Sequence, residues 1–102
     1  MKELLGYQKK FLRGVAHALQ PIVLVGQKGL TQALIKSTDD ALMAHELVKV
    51  KFIDFKEKAQ KTVIAADLAK ETNSQLAGMI GHVAIFFRPH PDPDKRRIVL
   101  PH

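Results

Sequence analysis

The chain has 102 residues, enough for one domain that buries roughly two-thirds of its unfolded surface. Hydrophobic residues make up 46%, which supplies a core and excludes a disordered chain; the absence of cysteine excludes disulfides and thiolate metal sites. Sixteen Lys and Arg against ten Asp and Glu leave a charge of +6. An anionic partner, nucleic acid ahead of membrane or acidic protein, then stands beside the plainer reading of charge as an aid to solubility.

No apolar run approaches the ~20 residues of a membrane helix, and Met1 to Lys10 lacks the apolar centre of a signal peptide. A cytoplasmic protein without membrane association is therefore the expectation. There is no internal repeat, and charge is spread evenly along the chain, so the basic character belongs to the fold and not to a tail.

From about Lys2 to Leu19, the residues Leu4, Leu5, Phe11, Leu12, Val15, Ala16 and Leu19 recur at helical spacing. Lys2, Lys9, Arg13, His17 and Gln20 share the opposite face, which contains no acid. That stripe is either a solvated helix face or a ligand-facing one. Pro21 ends the helix, and Ile22 to Val25 is a short apolar strand. Gly26-Gln27-Lys28-Gly29 follows, and then a helix that begins within Gly29 to Thr31 and ends near His45. Leu30, Leu34, Thr38, Ala41, Leu42 and His45 mark its buried side.

Glu46 to Ile53 alternates: Val48, Val50 and Phe52 face one way, Lys49 and Lys51 the other, as on a half-buried strand with a lysine ridge on an open or lightly covered face. Asp54 and Glu57 have the spacing of a capping pair for a third helix that runs to about Thr72, with Ile64, Ala65, Leu68 and Ala69 on its apolar side. Lys56, Lys58 and Lys61 crowd its first turns, where the helix dipole disfavours cations. Asn73 suits a left-handed cap. Gln75–Ile80 and Val83–Arg88 read as a hairpin turning at Gly81-His82. Residues 89–97 form a proline-rich loop, and 98–102 a terminal segment that pairs at a sheet edge or lies along the core. The order α-β-α-β-α-β-β predicts an α/β fold: a four-stranded mixed sheet backed by helices in one compact domain.

Catalysis finds little support. The histidines at 17, 45, 82, 90 and 102 show no metal-ligand spacing, and Lys49 stands where a zinc-protease motif starting at His45 needs its second histidine. No cofactor motif is present: the glycine loop is neither a Walker A sequence nor a dinucleotide fingerprint. Gly78-Met79-Ile80-Gly81 has the same G-x-x-G spelling but no cation, and reads as hairpin packing. Gly26 to Gly29 differs by having a strand before it, a helix after it and Lys28 within it. Backbone amides and a helix N-terminus there suit a phosphate, as in the loops that clamp sugar-phosphate backbone in KH domains. Only Tyr7, Phe55, Phe86 and Phe87 are candidates for exposed aromatics, too few for a stacking platform, so recognition of RNA through phosphate, 2′-hydroxyl and shape is favoured.

Three runs carry a family resemblance: Leu12 to Pro21, Val25 to Thr31, and His45 to Lys51. With Ile80 to Arg88 and Ile98 to Pro101 they resemble the CRM (chloroplast RNA splicing and ribosome maturation) domain, in its stand-alone bacterial YhbY-type form. The resemblance implies a fold akin to the C-terminal domain of translation initiation factor three. It also implies binding of ribosomal RNA in precursors of the large subunit, through the loop and the basic surface beside it. Gln27 stands where the family often has lysine, and Lys28 supplies the loop's charge.

The residues expected at an RNA interface are Gly26, Gln27, Lys28, Gly29 and Thr31 in the loop, Lys9, Arg13 and His17 on the first helix, Lys49 and Lys51 on the second strand, and Arg88 at the end of the hairpin. A non-catalytic, monomeric RNA-binding protein in large-subunit assembly is the expectation. A ribosome-bound translation regulator and a protein-interaction adaptor are the alternatives.

Overall fold

A computed structural model describes residues 2–102. The elements are α1 (Gly6–Ala16), β1 (Val23–Val25), α2 (Gln32–His45), β2 (Leu47–Phe52), α3 (Lys58–Glu71), β3 (Gln75–Ile80), β4 (Val83–Phe87) and a 3-10 turn at Pro93–Lys95. One sheet runs β1-β2-β4-β3, with β1 parallel to β2 and the two other pairs antiparallel. The element order and mixed sheet are those expected from the pattern.

Two cores flank the sheet. On one side Val23, Val25, Val48, Val50, Phe52, Ala84 and Phe86 pack against Leu34 and Leu42 of α2 and Ala65 and Leu68 of α3. On the other, Leu47, Ala77, Ile85 and Phe87 pack against Leu4, Leu12 and Ala16, with Ile98 and Leu100 closing the margin. The sheet thus carries a core on each face, and the face behind Lys49 and Lys51 is the lightly covered one, with Lys49 half-buried and Lys51 exposed. Two aromatics expected to be exposed are not. Phe86 and Phe87 are 0% and 1% exposed, because β4 is a central strand with a helical layer over each face. Each ring contributes on the order of 2–3 kcal/mol by leaving water.

Helix α1 is shorter than its periodicity suggests. Residues before it run extended: the Gln75 side chain accepts from Leu4 N–H and donates to the Lys2 carbonyl, and the Gln8 side chain accepts from Leu5 N–H. The chain turns out of the helix at His17, where Leu19 N–H returns to the Ala16 carbonyl. Of the seven apolar positions only Leu4, Leu12 and Ala16 are buried, because one helix crossing a sheet covers a narrower strip than its apolar face offers. In α2, His45 is exposed and not on the buried side. The Asp54/Glu57 capping pair does not form either: Glu57 is the N-cap residue but its side chain makes no cap hydrogen bond.

Glu46 organises the far end of the sheet. It ends α2 at φ 65° and is 3% exposed. Its Oε2 accepts from His90 N–H at 2.9 Å, and its Oε1 accepts from the N–H groups of Arg97 at 2.7 Å and Ile98 at 3.2 Å. Its own carbonyl accepts from Arg88 N–H at 2.9 Å. One carboxylate therefore folds the proline-rich segment back onto the domain. The terminal segment lies along the core as a result, and forms no strand.

Glu46→Ala is expected to cost roughly 2–4 kcal/mol in a urea titration, since three backbone donors lose a charged acceptor together. Amide exchange at His90, Arg97 and Ile98 is expected to accelerate ahead of the core; unchanged protection there would contradict this role.

Candidate nucleic-acid interface

The Gly26–Gly29 loop closes as a tight turn, with Gly29 N–H donating to the Gly26 carbonyl at 3.0 Å. Gly29 has φ +66°, and a Cβ there would stand 3.3 Å from the Phe55 ring, so both conformation and space require glycine. Nothing lies within 4 Å of a Cβ built on Gly26, whose open side is free for a ligand. Thr31 is the N-cap of α2; its Oγ1 accepts from Leu34 N–H at 3.1 Å. Gln32 and Ala33 then begin the helix, in the first turn where N–H groups lack intrahelical acceptors. Gln27 and Lys28 are exposed.

Strand register shows which other residues share this end of the molecule. Val25 pairs with Phe52, Lys51 with Val83, and Val83 with Ile80, so the loop, the end of β2 and the hairpin turn lie at one end of the sheet. Lys51 is exposed beside Leu24 there. The contact between Phe55 and Gly29 brings the connection after β2 alongside, and with it the exposed Lys56 and Lys58. Helices α2 and α3 both begin at this end, with no acidic residue in either first turn. Lys28, Lys56, Lys58 and two helix N-termini therefore gather at this end on the α2 and α3 side, Lys51 projects at the same end from the sheet's other face, and the exposed acids Asp54 and Glu57 stand against them. Among the described residues none of Lys28, Lys51, Lys56 and Lys58 makes an ion pair.

Lys61 points inward instead. It is 5% exposed and donates through Nζ to the Gly81 carbonyl at 2.8 Å and to His82 Nδ1 at 3.1 Å, which fixes the hairpin turn against α3.

The remaining sequence candidates are scattered. Lys9 lies beside Asn73, Ser74 and Gln75, where β3 begins, at the corner of the sheet diagonally opposite the loop. Arg13 lies across β3, donating to the Ala77 carbonyl at 3.1 Å, and a Cβ on Gly78 would come within 2.6 Å of its Cδ. The second G-x-x-G thus begins with a glycine because an arginine passes over it. Lys49 donates to the Leu19 carbonyl at 2.9 Å, three residues past the end of α1, while His17 is exposed at that helix's C-cap.

Arg88 sits at the far end of the sheet. Its guanidinium donates to Asp39 Oδ1 at 2.6 Å, the Asp39 carbonyl at 3.1 Å and the Thr72 carbonyl at 2.7 Å, joining α2 to the end of α3. Arg13, Lys49 and Arg88 are thus held by main-chain carbonyls. Lys56 and Lys58 are the cations that sequence reasoning noticed but did not place in the site; their position against the helix dipole was the available signal.

The sequence matches the model of the CRS1 / YhbY (CRM) domain over residues 4–88. The chain belongs to that family. Among CRM relatives, a Haemophilus influenzae protein named "RNA-binding protein" is 36% identical over 94 residues, spanning 92% of this chain and 91% of the relative. The Bacillus subtilis protein named "Probable RNA-binding protein YqeI" is 38% identical over 98 residues, 96% of this chain and 99% of the relative. The solution structure of SAV1595 from Staphylococcus aureus superposes with a TM-score of 0.82 at 32% identity, covering 97% of this chain and 100% of that one. The fold is therefore that of a CRM domain, three helices about a four-stranded mixed sheet.

Two substitution pairs separate folding from binding. Gly29→Ala is expected to lose about 1–3 kcal/mol of stability and Gly26→Ala within about 0.5 kcal/mol, measured by urea unfolding. Arg88→Ala is expected to lose about 1.5–3 kcal/mol by the same measurement, through the Thr72 carbonyl and the Asp39 carboxylate it leaves without a partner, while Lys28→Ala leaves stability unchanged. Wild-type stability in Arg88→Ala would show that this arginine is held for something other than the fold.

Proposed function

We propose that this CRM-domain protein binds RNA without catalysis, gripping the sugar-phosphate backbone at the Gly26–Gly29 end of the sheet, and that it acts on ribosomal RNA during assembly of the large ribosomal subunit. The observation that carries the reading is the convergence at one end of an open glycine loop, the starts of α2 and α3, and Lys28, Lys51, Lys56 and Lys58. The net charge of +6 and the names of the relatives in Haemophilus influenzae and Bacillus subtilis support it. The ribosomal assignment rests on the family resemblance.

Mechanistically, amides at the loop and at the first turn of α2 hold phosphate oxygens, and Lys28 adds a full charge beside them. Gly26 allows the strand to approach because no side chain stands in the way. Lys51, Lys56 and Lys58 provide the electrostatic footing for the adjoining phosphates. The protein acts as a monomer in the cytoplasm. A regulator bound to mature ribosomes would use the same grip, so sedimentation distinguishes the two: co-migration with large-subunit precursors supports assembly, and co-migration with small subunits or polysomes supports regulation.

Neutralising about four phosphates gives a log–log salt slope of roughly −3 to −3.5 for RNA affinity. In fluorescence anisotropy, Lys28→Ala is expected to reduce that slope by about one. Lys9→Ala, at the opposite corner, is expected to leave it unchanged. Salt-independent binding, or equal effects of the two substitutions, would contradict this placement.

A further inference from the structure

Beside the loop is a cleft of 460 Å³, walled by Ile22 to Leu24 at the edge of β1, by the loop itself, and by Thr31, Ala33, Leu34 and Ser37 of the α2 start. Its size lies within the ~300–1,000 Å³ typical of small-molecule and cofactor sites. Strand β1 is bonded only to β2, so its outer side keeps main-chain donors and acceptors unpaired. Ser37 adds a hydroxyl at the opposite wall. Lys28 is the one charged residue of the lining, and no acid is present.

That combination restricts the occupant. A peptide adding itself to the sheet needs a ladder, and β1 offers only Val23–Val25. A nucleobase needs an apolar slot with a few polar groups at its rim, and its own phosphate lies one sugar away, where the loop is. We propose that one unpaired nucleotide seats its base in this cleft, with its phosphate on the Gly26–Gly29 loop and its hydrogen-bonding edge toward the free side of β1. The proposal rests on the RNA-binding reading and adds a property to it: the loop end selects unpaired RNA, because a base held in a duplex is stacked and paired and cannot enter.

The probes are a short oligouridylate, the same oligomer with abasic nucleotides throughout, and a fully paired RNA hairpin of equal phosphate count. Wild type is expected to bind oligouridylate roughly tenfold more tightly than either of the others at one salt concentration. Ala33→Leu and Ser37→Leu each fill the cleft from an exposed helical position without altering charge, and are expected to bring the three affinities together. Amide resonances of Leu24, Ala33 and Ser37 in the wild type are expected to shift with oligouridylate and not with the abasic oligomer, a readout that needs no variant. Equal binding of the oligouridylate and abasic oligomers by wild type, with those amides unmoved, overturns the base pocket and leaves phosphate binding standing. Failure of wild type to bind any of the three at low salt overturns both.

Discussion

The fold turns on the link between Glu46 and Arg88, adjacent in space at the far end of the sheet and joined through the backbone of both residues. The Glu46 carboxylate gathers the proline-rich segment, and the Arg88 guanidinium gathers α2 and the last turn of α3. Neither role is local. A buried carboxylate is tolerable here because three N–H groups replace the water it lost, and each of those groups would otherwise need another acceptor. With that end secured, the other is left to loops, helix starts and lysines.

This division separates structural cations from free ones. Charge count alone makes no such distinction: Lys28, Lys49 and Lys61 are equivalent in composition, yet one is exposed in a loop, one is tied to a carbonyl of the connection after α1, and one is buried against a hairpin turn. A cation within reach of unpaired main-chain carbonyls supplies hydrogen bonds that the fold needs. Where both neighbours are helix starts, the nearby main-chain groups are donors, the lysine finds no acceptor, and its charge stays available to an anion. The same polarity that favours an anion at this end of the sheet disfavours the lysines there, so their charges are left without a partner inside the fold.

The helices, strands and their order were legible because the periodicities are strong: alternation in 48–52, helical spacing in α2, and a hairpin around Gly81-His82. The glycine loop was legible too, since an apolar strand stopping at Gly26 and a capped helix starting after Thr31 leave little else for four residues between them. What local pattern did not carry was long-range pairing. Phe86 and Phe87 look like an amphipathic pair until β4 is known to be central, and Glu46 looks like an ordinary strand margin until residues 90, 97 and 98 arrive at its carboxylate.

The sequence by itself determined the elements, the mixed sheet, and a tight glycine loop with one lysine between a strand and a helix, because these depend on neighbours within a few residues. Tertiary structure decided which cations accompany that loop. Sheet register carries Lys51 toward it and Lys9 and Arg88 away from it, and the contact of Phe55 with Gly29 brings Lys56 and Lys58 alongside. Proximity across strands depends on pairing partners distant in sequence, and no spacing along one chain encodes that choice on its own.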